Sequence, residues 1–325
     1  MWRWLALLVV HGMLHAASPV LLVLHKAASF LGFYTLEGEL LARVVTGRHP
    51  HEMTVSPDER YVWITDNGTM RIEEPGSGGN TVSVVDVKAR RRVAVIPLGE
   101  FRRPHGIAFH APSGRVAVST ELPDRLVVID AASRRIVRSL DTGGKTSHIV
   151  AWDRPGRWVF VSNAGSANVA AVDTETGAIE RIPTGTRPEG SVLSPDGSRL
   201  YVVNRDGAAV TVIDAVRRQP AGQIATGRGP VRIGITPDGK LLVYALMHDQ
   251  AVEFADPSAG KVVERVALEG RPVSLHVSSD GRLAFAAAQE EDVVYVISVP
   301  ERKIVRRIRT PEGSGPDAVW LLGAG

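Results

Sequence analysis

The sequence predicts an all-β fold, a seven-bladed β-propeller with four short strands in each blade. Three observations carry the prediction. The motif Val-Ile-Asp and its variants recurs along the chain, with acidic ends at Asp86, Asp130, Asp173, Asp214 and Asp256 and Ser298 in the sixth place, at steps of 44, 43, 41, 42 and 42 residues. A second mark opens successive units: Pro50, Pro104, Pro188, Pro230, Pro272 and Pro316, with Ser147 taking the place in the third. Finally, 32 Gly and 20 Pro in 325 residues imply many turns and little helix. Fixed repeats of roughly 40–45 residues with four strands each are the signature of propeller blades.

The fourth unit shows how each element is justified. "EGSVLS" is strand a, "PDGS" a turn, "RLYVVN" strand b, "RDGA" a loop, "AVTVID" strand c, "AVRRQ" a turn and "AGQIATG" strand d. Alternation and β-branched enrichment support the strands, and Pro-Asp-Gly supplies a turn whose Gly can take positive φ. The Asp ending strand c is expected to accept backbone N–H groups in the turn that follows.

Six complete units run from Pro50 to about Gly313, and fragments remain at both ends. "GPDAVWLL" (315–322) matches a strand a and stops, while "PVLLVLHKAASFLGFYTLEGELLARVVTG" (19–47) aligns with strands b, c and d. The seventh blade is therefore expected to combine both chain ends, which removes free sheet edges. Ahead of it, Arg3, the apolar "WLALLVV" (4–10) and "HAAS" (15–18) read as a signal peptide over residues 1–17. Residues 18–325 then form one domain, periplasmic or extracellular. An uncleaved anchor is the rival, since the apolar run continues to Leu24, but a blade strand at "VLLVL" (20–24) cannot also be membrane-buried.

With the repeat in hand, the chain resembles the YVTN-type β-propeller proteins of the YncE-like group, which are secreted or periplasmic. The resemblance rests on "SPDERYVWITDNG" with "NTVSVVD", "RPGRWVFVSNAGSANVAAVD" and "SPDGSRLYVVNRDGAAVTVID". It implies the fold over nearly all of the mature chain and leaves activity open, because relatives on such propellers bind, hydrolyse, cleave or carry cofactors.

Differences between repeats point to function. The residue after the blade-initial Pro is, in order, His51, His105, His148, Glu189, Val231, Val273 and Asp317. Strand a is innermost, so these side chains start around the mouth of the central channel. Three imidazoles and two carboxylates on five neighbouring blades fit a site for a divalent transition metal, Zn or Cu, on His51, His105 and His148. Two alternatives stand beside it: a polar, water-filled channel mouth, and a metal-free acid and base site on Glu189 or Asp317. Arg232 follows the ring position by one and suits an anionic substrate group, whereas His276 lies deeper and reads as a core histidine.

Strand b ends on the same face, where His25, Asp66, Asn67, Glu121, Asn163, Asn204, Arg205, His248 and Gln289 should frame the mouth. Blade 1 is longer than the others, with 54 residues from Pro50 to Pro104 and the excess in "NGTMRIEEPGSGGN" (67–80), beside His51. Long loops on a functional face often bind or cover ligands. The histidine ring also resembles the propeller face of nitrous-oxide-reductase-type copper proteins. With no cysteine in the chain, their cysteine-bearing copper domain has no counterpart, and thiolate sites and disulfides are excluded.

Two functional classes follow. One is a ligand-binding or interaction scaffold that takes a small molecule or protein at the channel mouth and has a metal-competent His and carboxylate ring. The other is a metal-assisted hydrolase or lyase, with Glu189 or Asp317 handling the proton and Arg232 orienting an anionic substrate. On the opposite face Arg90, Arg91, Arg92, Arg134, Arg135, Arg217, Arg218, Arg302 and Lys303 form a basic rim that an anionic partner would fit. Nucleic acid is not expected, because the formal charge is only +3 and no aromatic residues interleave these arginines in sequence.

Overall fold

The computed structural model describes residues 19–323, so the signal-peptide reading of residues 1–17 lies outside the described residues. Twenty-eight strands form seven four-stranded antiparallel sheets arranged as the blades of a propeller. The innermost strands are Pro50–Val55, Arg102–His110, Ser147–Trp152, Pro188–Leu193, Pro230–Ile235, Pro272–Val277 and Pro316–Leu322. Each packs beside the next, and Pro316–Leu322 closes the ring against Pro50–Val55.

The seventh blade is closed as the repeat requires. Pro316–Leu322 pairs with Val20–His25, which continues through Phe30–Tyr34 to Leu40–Val45. Leu21 through Leu24 are completely buried, in sheet packing rather than in a span. Among the described residues no helix is long and apolar enough to cross a membrane.

Strands b and c read as nearly continuous apolar runs because both their faces are covered by neighbouring blades. Leu22, Leu24 and Phe33 of blade 7 meet Met53, Val55, Val62 and Ile64 of blade 1 in one such layer. Each fully buried side chain of this kind contributes about 1.5–3 kcal/mol. Strand d lies outermost and is largely exposed, as in Lys261–Ala267.

The architectural marks do what their chemistry suggests. Oδ1 of Asp86, Asp130 and Asp256 accepts the N–H of Ala89, Ser133 and Ser258, each at 2.8 Å, and Ser298 repeats the contact with Glu301 at 3.3 Å. On this face Arg90, Arg134 and Arg218 sit in turns with positive φ and lie over Phe33, Tyr61 and Trp158 of the preceding blade, at 5.9, 5.5 and 4.2 Å. Aromatic rings thus meet the rim arginines in space although none interleaves them in sequence, and these three cations join blade to blade.

Candidate metal centre at the channel mouth

The pairing of strands a and b places the site. In every blade the register slips where strand a begins, leaving one extra residue on the inner strand: Pro50 pairs with Asp66, yet Met53 pairs with Ile64. The same slip follows Pro104, Ser147, Pro188, Pro230, Pro272 and Pro316. Such bulges re-aim side chains, and here they fall at the ring position, which is where the three histidines stand. Close approach of inner strands explains the neighbouring glycine at 106. A Cβ there would lie 2.4 Å from the carbonyl oxygen of His148.

His51, His105 and His148 each offer a ring nitrogen within 4.8 Å of the other two. Ring centroids of His51 and His105 are 4.0 Å apart, and those of His105 and His148 3.8 Å. Nitrogens bound tetrahedrally at about 2.1 Å sit roughly 3.4 Å from one another, so modest ring rotation gathers the three onto one ion.

The outer nitrogens show which lone pairs are free. A carboxylate only accepts, so His105 Nδ1–H donates to Glu121 Oε1 (2.6 Å), while His51 Nδ1 lies between Asp317 Oδ2 (2.9 Å) and Lys26 Nζ (3.2 Å). His105 Nε2 is buried without a partner, as is Nδ1 of His148. Carboxylate, imidazole and then a free nitrogen is the arrangement by which proteins orient histidine ligands for a metal. Backbone contacts anchor the strands at His105 and His148. Thr65 Oγ1 donates to the carbonyl of His105 at 2.8 Å, and Ser119 Oγ to that of His148.

Electrostatics disfavour the charged form of two of the imidazoles, His51 and His148. Burial, followed by the nearby His105, pushes His51 well below the usual histidine range, and the same two causes act on His148. For Asp317 burial works upward, but His51, Lys26 and Arg232 outweigh it and hold the carboxyl well below its ordinary range. Lys26 Nζ lies 3.3 Å from Asp317 Oδ2.

A second ring, one residue beyond the strand-b partner of each blade-initial residue, backs the first. Within single blades Lys26 meets Asp317, Glu121 meets His105, and Arg205 meets Glu189 at 3.0 Å. In blade 5 the same pairing is apolar, Met247 against Val231. Glu189 Oε1 also accepts from Arg187 (3.0 Å), and Arg232 crosses the channel to Glu52, with Nε 2.9 Å from Oε1.

Of the expected frame, Glu121, Arg205 and Gln289 reach the site, Gln289 at 3.4 Å from Asp317. Asp66, Asn163 and Asn204 instead serve local loops: Asp66 takes the N–H of Gly47, and the two amides cap nearby backbone. His25 is a core residue, stacked on Phe30 and bonded to Tyr34 and Ser314, with burial pushing it down to about 3. His276 is also structural, stacked on Trp320 at 4.8 Å. His248 is exposed. Lys26, Arg103, Arg187 and Arg271 were not anticipated. Arginine recurs just before the blade-initial Pro at 103, 187 and 271, a repeat position that could have drawn attention.

Above His51 and His148 lies a cavity of about 420 Å³, closed on one side by the long loop of blade 1 through Met70, Arg71, Ile72 and Glu73. Arg103 holds this loop. Its guanidinium donates to the carbonyls of Ile72 (2.9 Å), Gly76 (2.9 Å) and Glu74. The same side chain is 3.7 Å from Glu121, so the loop is tied to the carboxylate that holds His105. Across the mouth, Glu73 pairs with Arg187 at 2.8 Å.

Comparisons with known proteins agree on the fold. A protein of unknown function from Desulfotomaculum acetoxidans is similar over 93% of this chain and 98% of its own, with a TM-score of 0.78 and 13% identity. Hydrazine synthase from Kuenenia stuttgartiensis matches 94% of this chain and 99% of its own, with a TM-score of 0.71 and 17% identity. Dihydro-heme d1 dehydrogenase NirN, solved in complex with DHE, matches 90% of this chain and 64% of its own, at 0.66 and 18%. No protein-family model matches the chain, and no curated protein matches its sequence.

Proposed function

We propose that this protein is an exported, YVTN-type propeller that binds a divalent transition metal, Zn or Cu, on His51, His105 and His148 and offers it to a ligand in the channel mouth. The observation that carries the reading is the buried lone pair of His105 Nε2, without a partner while Nδ1 is held by Glu121. Leaving a buried polar atom unpaired costs about 1–3 kcal/mol, which an ion would offset. Neutral imidazole suits Zn and Cu, and three such ligands leave a coordination position for an exogenous group. Bound metal would supply Lewis acidity at the floor of the cavity.

A catalytic version of this site, hydrolytic or lytic, draws support from Asp317. Its Oδ1 is buried and unpartnered while Oδ2 is held by His51 and Lys26, so one acceptor is open to a donor on substrate or water; with the carboxyl held well below its ordinary range, it would orient that donor as a carboxylate. Glu189, shared by two arginines, is better suited to fixing cations, and Arg232, bound to Glu52, to balancing charge across the channel.

The test is metal content. Protein purified from periplasmic expression should carry close to one Zn or Cu per chain, lost on combined replacement of His51, His105 and His148 by Ala with the β-sheet signal unchanged. A metal-free wild type that also fails to take up Zn²⁺ or Cu²⁺ in titration would reduce the ring to a polar channel mouth.

A further inference from the structure

We infer that the cavity over the histidines takes a small organic acid, its carboxylate against Arg187 and Arg205 and its apolar body against Val231, Met247 and Val273. The inference rests on the reading of the channel mouth as a ligand site and names what enters it.

Charge is the first argument. Six cationic side chains face this cavity (Lys26, Arg71, Arg187, Arg205, Arg232 and Arg271) against four carboxylates (Glu73, Glu189, Glu290 and Asp317). The excess is not spread evenly. Lys26 is matched by Asp317, and Arg232 by Glu52 just outside the lining. Arg187 and Arg205 instead converge on one oxygen of Glu189, each at 3.0 Å, and Arg205 Nε is buried with no acceptor. Arg71 and Arg271 likewise share Glu290, at 3.9 and 4.0 Å. Only one buried carboxylate serves Arg187 and Arg205, and the free Nε–H of Arg205 beside it is a donor that a ligand carboxylate can take. Glu73, which pairs with Arg187 at 2.8 Å, sits on the loop and is two-thirds exposed, so a ligand carboxylate can replace it.

Polarity is the second argument. Blades 5 and 6 carry Val231 and Val273 at the positions where other blades carry His, Glu or Asp, and with Met247 they form an apolar cluster. Histidines on one wall, arginines beside them and valines opposite do not suit an inorganic oxyanion, which would waste the apolar wall. At about 420 Å³ the cavity is in the size range of small-molecule sites. Dispersing charge on one end and burying methylenes at the other fits an acid with an apolar tail.

The experiment is calorimetric titration of the full chain, both metal-free and Zn²⁺-loaded, with butyrate, hexanoate and octanoate, with the matching alcohols, and with inorganic phosphate. Carboxylates should bind, alcohols at least tenfold more weakly, and affinity should rise about two- to fourfold per buried methylene. Arg205→Gln should weaken carboxylate binding tenfold or more, with Arg205→Lys in between, and Val273→Asp should remove the dependence on chain length. Melting curves on the same samples separate loss of fold from loss of the site. Absence of carboxylate binding in both metal states overturns the inference, as does equal binding of alcohols, or phosphate binding as tight as hexanoate. Carboxylate binding to protein that takes up no metal would sustain this inference while sinking the metal centre; metal uptake without carboxylate binding would do the reverse.

Discussion

Replacing Glu121 by Gln separates a metal-orienting carboxylate from an ordinary buried acid. Oε1 of Glu121 lies 2.6 Å from His105 Nδ1 and Oε2 3.7 Å from Arg103, and the side chain is 6% exposed. Gln keeps the shape and one acceptor but removes the charge. Exchanging a charge-assisted bond for a neutral one costs about 1 kcal/mol. Taking the counter-charge from a buried arginine can cost about 3–5 kcal/mol. Arg103 retains three carbonyl acceptors on the loop, and its contact with Glu121 is long, so the smaller term should dominate. A total near 2 kcal/mol in urea unfolding under chelator is expected. Zn²⁺ affinity, measured by competition with a chromophoric chelator, should fall about 10–100-fold, as when other partners of metal-bound histidines are removed. A folded variant that binds Zn²⁺ within threefold of wild type would refute the link between Glu121 and a metal ligand.

Three further outcomes are expected. Gly106→Ala pushes a Cβ to within 2.4 Å of the His148 carbonyl, so the inner strands must part; stability should drop by about 1–3 kcal/mol and Zn²⁺ affinity with it, and an unchanged melt would contradict the packing. Arg103→Ala frees three loop carbonyls, so limited proteolysis should cut within residues 70–76 far sooner than in wild type, whereas equal rates would show that other contacts hold the loop. His276, pushed by burial from 6.5 down to about 4, is neutral when folded and protonated when unfolded over that window. Its contribution is complete above pH 6.5 and fades as pH falls towards 4, by about 2 kcal/mol near pH 4.5. Urea midpoints of His276→Phe should therefore lose less than wild type between pH 7 and 4.5, and parallel losses would count against the assignment.

The fold was legible because a propeller repeats its chemistry. Asp at the end of strand c and Pro at the start of strand a recur in sequence for the same reason that they recur in space, and even the split blade followed from matching fragments. Ring membership of His51, His105 and His148 was legible for the same reason. What escaped the sequence was pairing across blades. Glu52 does not stand out in sequence, because Gly106 and Gly190, required by the close approach of inner strands, share its register. Its partner Arg232 lies 180 residues away across the channel. Lys26 was passed over for its neighbour His25, since nothing in the sequence says which of two adjacent polar residues turns inward. The bulge that aims the ring residues is a property of strand pairing and leaves no mark of its own.

The central claim is that three imidazoles hold one ion, and anomalous diffraction from a crystal of Zn²⁺-loaded protein, collected at the zinc edge, tests it most directly. The account requires a single strong peak about 2.0–2.1 Å from one nitrogen each of His51, His105 and His148. A peak seated instead on Glu189 or Asp317 alone, or no peak at the channel mouth of protein shown to be fully loaded, would contradict it.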